Sequence, residues 1–470
     1  MRAVFTTPEV KAAEDRAYES LAPGELMQRA ARGLADVVRH ELDRPRSRTV
    51  LVAAGPGNNG GDGLYAAAFL AAEGVTVRAW RTTSRVHEQS WAALIAAGGS
   101  EVDVAGALRE LGETPVVVDA VYGMGARPGL PEDVVRFAAA CRPQGIRVIS
   151  CDVPSGVDSD SHGTEDLPSF HADVTVAMGA WKPAHVLQPN RSRCGELRLV
   201  DIGLDLPRPG MVEWERRDVA AVWPYPDPTS DKYSRGVVGL DTGSDAYPGA
   251  GLLSAYGAVY AGAGMVRLLG SERVKDLVVP ALPNIVTADG RVQSWVIGSG
   301  WGSRSGAAGR LAEVLSTGLP VVVDADALGF LPRSTNREDV LATPHPGELA
   351  RMLDADRAAV TADPLGAVRE AAEAYGVTVL LKGASQYVAS PSDPQIVLAV
   401  PGPAWTAQAG SGDVLAGICG TLLAAGLPAR DAAVAAASIQ AIAAADHPGP
   451  YPPQDIARFL PSTIAGLSDT

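Results

Sequence analysis

TVLVAAGPGNNGGDGLYAAAFLAA, residues 49–72, is the stretch whose reading decides the fold. A β-branched run (49–55) passes through the glycine loop GPGNNGGDG (55–63) into an apolar helical pattern that starts at Leu64. Strand, loop and helix in that order form one unit of a mostly parallel sheet covered by helices. The same alternation extends outward through VTVRAW (75–80), PVVVDAV (115–121), RVISCDV (147–153), VTVAMG (174–179) and LRLVDIG (197–203). Upstream, apolar residues at helical spacing from Pro8 to His40 predict helix packed outside that sheet.

The pattern breaks at LDLPRPG (204–210) and WPYPDPTSDKY (223–233), where five prolines fall between Pro207 and Pro228 and strand signals fade. Beyond the break it restarts: RGVVGLDTG (235–243), MVRLLG (265–270), SWVIGSG (294–300), PVVVDAD (320–326), VLATPHP (340–346) and VTVLLKG (377–383). The expectation is an α/β chain of two domains, 1–210 and 231–470, joined by a linker over 211–230. The first is read as a Rossmann-like three-layer sandwich. PVVVDAV and PVVVDAD are generic buried strands ending in an acid, and nothing around them repeats.

The 470 residues suffice for two to three domains, and 46% apolar with 20% charged residues is ordinary globular usage, which excludes wholesale disorder. A formal charge of −14 argues against a nucleic-acid partner or an anionic membrane surface, so any anionic ligand must be held locally. Four cysteines without a CxxC pair exclude a zinc-finger or disulfide scaffold. The first twenty residues lack a basic stretch followed by an apolar block, so the expected compartment is the cytoplasm. The alanine-rich segment 433–445 carries Ser438 and Gln440 and reads as a buried helix, not a membrane span.

In open α/β sheets the ligand crevice lies beyond the carboxyl ends of the strands. The glycines of loop 55–63 let the backbone turn tightly and approach a ligand, and the N–H groups opening the next helix favour an anion. Asn58, Asn59 and Asp62 serve equally well as caps for that helix. Two further strands end in Asp119, followed by YGMGARPG (122–129), and in Asp152, within DVPSGVDSD (152–160). An Asn, two Asp and a Ser at one sheet edge form a hard-oxygen set that suits a monovalent ion as well as magnesium. Lys182 and Arg127 are candidate cations for phosphate, with surface solvation the simpler role for each.

In the second half AGSGDVLAG (409–417) opens an apolar helix and stands Asp413 at its mouth, where it could take a proton from a substrate hydroxyl. LKGASQ (381–386) places Lys382 just past a strand, as a phosphate or ribose contact or as a solvated lysine. TPHPGE (343–348) holds His345 between two prolines on the same edge.

NNGGDG (58–63), DAVYGMG (119–125) and DVPSGVDSD together resemble the signature segments of NAD(P)H-hydrate epimerase domains, over about residues 1–205. The resemblance implies potassium bound by Asn59, Asp119 and Ser155. It implies a hydrated nicotinamide dinucleotide held by Asn58, Asn59, Gly60, Gly61, Asp62, Gly123, Met124, Gly125, Ala126, Arg127, Pro128, Gly129 and Asp152, with Asp152 as acid–base group. Tyr122 and Met124 stand where Phe and Thr are usual.

From about residue 225, DKYSRG (231–236), TGSDAYPGAG (242–251), AGAGMVRL (261–268), IGSGWG (297–302), DADAL (324–328), TPHPGE, LKGASQ and GSGDVLAG resemble the ribokinase-like, ADP-dependent NAD(P)H-hydrate dehydratases. That implies the nucleotide on Lys382, Gly383, Ala384, Ser385, Gln386 and Gly412, with magnesium as its companion. Ala250, Gly302, His345 and Asp413 would line the hydrate pocket, with Asp413 as base. SDAY stands where a GGY-like turn is usual, and Ser385–Gln386 where Gly–Thr is common. The joint expectation is a homo-oligomeric repair enzyme for hydrated NADH and NADPH. The competing reading is a vitamin-precursor kinase fused to a non-catalytic interaction domain.

Overall fold

The computed structural model describes residues 1–42, 48–160 and 167–467. The chain divides into two compact units, Ala3–Pro209 and Met1–Arg2 with Gly210–Thr470.

The first unit holds a seven-stranded, wholly parallel sheet. Its spatial order is Ser100–Val102, Thr76–Arg81, Thr49–Ala54, Val116–Ala120, Arg147–Cys151, Val174–Met178, Glu196–Val200. The strand order reverses direction between Thr49–Ala54 and Val116–Ala120, so the loops after these two strands diverge to opposite faces and leave a crevice between them. Alternation along the central strands feeds two cores. Val50, Val52, Val116 and Val118 pack with Leu34, Val38, Leu64 and Leu70 of the helices Glu25–Leu42 and Asn58–Ala72. Leu51, Ala53 and Val117 face Trp80, Phe137 and Phe170 on the other side, where Trp80 and Phe137 meet at a centroid distance of 5.2 Å.

The second unit's sheet runs Met265–Leu268, Val237–Asp241, Ser294–Ile297, Val321–Val323, Val340–Ala342, Thr378–Leu381, all parallel. An antiparallel extension follows, Tyr387–Ser390 and then Asp393–Leu398. The sequence reading missed these last two strands because their alternation is short and carries Ser, Asp and Pro. LKGASQ therefore ends strand Thr378–Leu381 and forms the turn of a hairpin. Segment 211–230, expected as linker, contributes strand Met211–Glu213, paired with Ile396–Leu398, and helix Arg216–Val222. Val219 and Trp223 enter the core there. Its prolines cluster at either end of that short strand–helix piece, which hid it.

Helices Pro248–Tyr260 and Ser411–Ala424 cross at glycine. A Cβ on Gly257 would lie 2.0 Å from the Val414 carbonyl oxygen, and one on Gly417 2.1 Å from that of Ser254. Such closeness fixes where the first turn of Ser411–Ala424, and hence Asp413, stands. Helix Ala429–Asp446 is buried from Ala432 to Ala444, with Gln440 donating to the Ser411 carbonyl at 3.0 Å. Among the described residues no helix is long and apolar enough to cross a membrane.

Candidate functional site

In the first unit a cavity of about 390 Å³ opens at the crevice between the two divergent loops. Asn58, Asn59, Asp62, Gly123, Met124, Gly125, Ala126 and Asp152 line it together, as does Lys182. Gly60 and Gly61 do not: both are buried, and at Gly60 packing against backbone requires glycine. A Cβ on Gly60 would meet the Gly55 carbonyl oxygen at 2.1 Å, and one on Gly61 the Met27 side chain at 2.9 Å. The loop's glycines thus seat the helix on the sheet, whereas the reading from sequence gave them to the ligand. Arg127, Pro128 and Gly129 lie apart from this cavity, along an adjoining open hollow of about 600 Å³ that shares Tyr122 and Ala126 with it.

Asp152 is the best-anchored group here. Its backbone sits in the left-handed region, φ 68°, a conformation that costs a non-glycine residue about 1–3 kcal/mol and persists only when the surroundings enforce it. They do so from several directions. Met124 N–H donates to Oδ2 at 3.0 Å, Met178 N–H to Oδ1 at 3.3 Å, and Lys182 Nζ to Oδ1 at 2.5 Å. Lys182 is wholly buried and also donates to the Met178 carbonyl at 2.8 Å, so it is no solvated lysine. His185 braces the backbone: Nδ1 accepts from Lys182 N–H at 2.9 Å, leaving Nε2 to donate to the Asp152 carbonyl at 2.7 Å. Burial, then the Lys182 charge, push His185 down to about 4, so the ring stays neutral. Burial opposes ionisation of Asp152, but the Lys182 charge and hydrogen bond outweigh it and hold the carboxyl below its ordinary value. Sequence reading missed His185 altogether; its signal was WKPAH, a lysine and a histidine three apart just past a strand.

Asp119 lies fully buried behind the cavity. Oδ1 accepts from Ser155 Oγ at 2.5 Å and Oδ2 from Ser150 Oγ and Ser155 N–H, each at 2.8 Å. Burial lifts it to about 6 against those bonds. Nearby, Asn59 Nδ2 is buried without a hydrogen-bond partner. Half a turn about the amide would put its oxygen there instead. An orphaned amide, a carboxylate whose charge burial resists and a serine hydroxyl make an oxygen donor set that fits a potassium ion.

In the second unit Lys382 is mostly buried, and its Nζ lies 2.7 Å from Asp324 Oδ1 and 3.9 Å from Glu348 Oε2. Ser299 and Thr343 hydroxyls also donate to Asp324, at 2.7 and 2.8 Å. Burial works against the lysine's charge, yet the carboxylates of Asp324 and Glu348 keep it raised. The same ammonium borders Gly412, whose Cβ would stand 3.2 Å away. Asp413 begins helix Ser411–Ala424, led by Gly410 at φ 91°. Burial, then the Asp324 charge, push Asp413 up to about 7 despite Lys382.

Among the expected pocket residues, His345 is spent on its own helix: Nδ1 accepts from Gly347 and Glu348 N–H at 3.0 and 3.1 Å. Its ring is still half exposed. Ala250 and Gly302 come together at the Tyr247 loop, with Gly302 N–H donating to Asp326 Oδ2 at 2.7 Å. Gly383, Ala384, Ser385 and Gln386 form the hairpin turn after Lys382. Sequence reading gave no role to Asp324, which the structure places at the centre of this charge cluster.

Two separate sheets, each with a lysine ion-paired to an aspartate beyond its strand ends, make this a two-site enzyme of the α/β class. Residues 238–461 match the family of NAD(P)H-hydrate dehydratases, and residues 23–184 match the YjeF-related protein N-terminus. The chain is 41% identical over 471 residues to the bifunctional NAD(P)H-hydrate repair enzyme Nnr of Mycobacterium leprae, covering 96% of either chain. It is 32% identical over 431 residues to the enzyme of the same name from Escherichia coli, covering 87% of this chain and 82% of that one. A solved ribokinase-like superfamily protein from Enterococcus faecalis V583 shares the fold, at 21% identity and TM-score 0.51, over 56% of this chain and 98% of its own. The chain belongs to the family of bifunctional NAD(P)H-hydrate repair enzymes, which join an epimerase to a dehydratase.

Proposed function

We propose that this chain repairs hydrated NADH and NADPH, its first unit interconverting the R and S hydrates at C6 and its second removing water from the S form at the expense of ADP. The observation that carries the reading is the placement of Asp152 in the first unit's cavity, 2.5 Å from buried Lys182, and of Asp413 at the start of a glycine-led helix by the Lys382–Asp324 ion pair. In the first unit Asp152 would act at the ring's hydroxylated carbon, and Asn58, Asp62 and the 123–126 turn, which line the cavity, would hold the dinucleotide. Asn59, Asp119 and Ser155 would hold potassium, which supplies fixed positive charge beside a buried carboxylate.

In the second unit Asp413 takes the proton of the C6 hydroxyl, and the freed oxygen attacks the terminal phosphoryl group of ADP, with AMP leaving. Hydroxide leaves poorly; phosphate leaves well. The ring nitrogen's lone pair then expels phosphate, and loss of a C5 proton restores the reduced nicotinamide. Backbone N–H groups at the start of helix Ser411–Ala424 stabilise charge on the transferred phosphoryl group. Lys382 to Gln386 and Gly412 would face the nucleotide, with magnesium as its companion. The enzyme would work in the cytoplasm as a homo-oligomer.

The test follows reduced-nicotinamide absorbance after the chain is added to mixed R and S hydrates, with ADP and potassium present or omitted. Full ADP-dependent recovery is expected. Recovery of the S fraction alone would remove the epimerase half of the reading, and accumulation of a stable phosphorylated product would replace the second half with a small-molecule kinase.

A further inference from the structure

Helix Thr7–Tyr18 sends Glu14 into the wall of the first cavity, which also receives Asp152, Asp62 and Lys182. The chemistry above gives Glu14 nothing to do. Moving a hydroxyl from one face of a ring to the other needs a proton donor for the departing oxygen and an acceptor for the proton of the entering water. Asp152 is bound to a buried ammonium at 2.5 Å and to two backbone N–H groups, an environment that suits the acceptor and not the donor. Glu14 is half-buried, and no hydrogen-bond donor reaches its carboxyl among the described residues.

We propose that Glu14 is the second acid–base residue of this site, donating the proton on which the C6 hydroxyl leaves, while Lys182 reserves Asp152 as the acceptor. The inference rests on the epimerase reading of the first unit. Glu14 gives its proton to the hydroxyl oxygen, the C6–O bond breaks, water departs, and the nitrogen lone pair forms an N1=C6 iminium. Water then adds at the opposite face, the π electrons return to nitrogen, and Asp152 takes the surplus proton. Solvent carries that proton back to Glu14, so nothing is oxidised or reduced.

The surroundings of Glu14 agree. Burial, then the Asp152 charge, push it up to about 7, with Asp15 adding to the rise and Lys182 and Lys11 opposing it. A donor that titrates near the working pH can both give and recover its proton. Asp62, which also lines the cavity, is driven well above its ordinary value by burial and by the charges of Asp152 and Glu14. Tyr18, one turn along from Glu14, is raised by burial and by the Glu14 charge and stays neutral.

The experiment uses the full chain and mixed R and S NADH hydrates without nucleotide, with epimer exchange followed by NMR. Glu14→Gln is expected to lower kcat for exchange about 100-fold or more with KM within about threefold, and to abolish the fall in rate as pH rises through neutrality. Glu14→Asp should recover part of the rate together with that fall. Nucleotide-dependent dehydration of the S hydrate by the same variants reports that the chain is folded. A Glu14→Gln chain that keeps its rate, or keeps the alkaline fall, overturns the proposal. If Asp152→Asn alone stops exchange, Glu14 is dismissed and the epimerase reading stands; if the unaltered chain exchanges nothing, that reading itself fails.

Discussion

Each unit buries a lysine against an aspartate at the carboxyl ends of its strands, and the two put that charge to opposite use. Lys182 contacts Asp152 itself, so that carboxyl is held below its ordinary value. Lys382 contacts Asp324 instead, and Asp413 is left to feel burial and the Asp324 charge, which lift it to about 7. Contact with an ammonium thus holds one carboxyl below its ordinary value, while burial and then the Asp324 charge raise the other.

The hardest test of the comparison removes the raised carboxyl. Asp413→Asn should lower dehydration by more than about 100-fold while epimer exchange persists, as recovery of absorbance and NMR exchange would report; parallel loss of both in a folded chain would dissolve the division of labour. The same variant bears on stability. Asp413 has a folded value raised above its unfolded one, so the wild-type chain loses stability as pH rises from about 4 through about 7, where a charge must be buried. Asp413→Asn should therefore melt higher than wild type above neutrality, and the advantage should vanish under acid.

Next in size is the charge swap. Lys182→Met should lift the acid limb of epimerisation toward neutrality, because Asp152 would then be governed by burial. In the unaltered chain the dehydration rate should fall about tenfold per pH unit below about 7, whereas epimerisation keeps its acceptor ionised well below that; coincident acid limbs would erase the contrast. The glycine loop supplies the smallest effects. Gly60→Ala drives a methyl against the Gly55 carbonyl and should destabilise the first unit by about 1–3 kcal/mol. Gly57→Ala meets open space and should stay within about 0.5 kcal/mol, both read by thermal or denaturant melts.

The parallel strands were legible because each is a short β-branched run closed by Gly or Asp, and period and punctuation survive in one dimension. Asp152 and Asp413 were legible for the same reason: they follow strands or open glycine-led helices. What escaped notice depended on neighbours far along the chain. Glu14 went unremarked in the sequence, on a helix that the structure finds lining the cavity. Lys182 read as a solvated cation because its partner lies thirty residues away. Asp324 sat in a strand end that seemed generic, and it turned out to organise Lys382, Ser299 and Thr343. Strands Tyr387–Ser390 and Asp393–Leu398 carry too little alternation to announce themselves.

By itself, then, the sequence determined two α/β units, their strand ends and the loops that bear the chemistry, because local propensity and hydrophobic period act over a few residues. Only the tertiary structure decided the burial and the charged neighbours of the carboxyl groups on those loops. Burial and Coulomb interactions depend on distance in space, and a shift of a few ångströms in a buried ammonium separates an aspartate held ionised from one that titrates at neutrality.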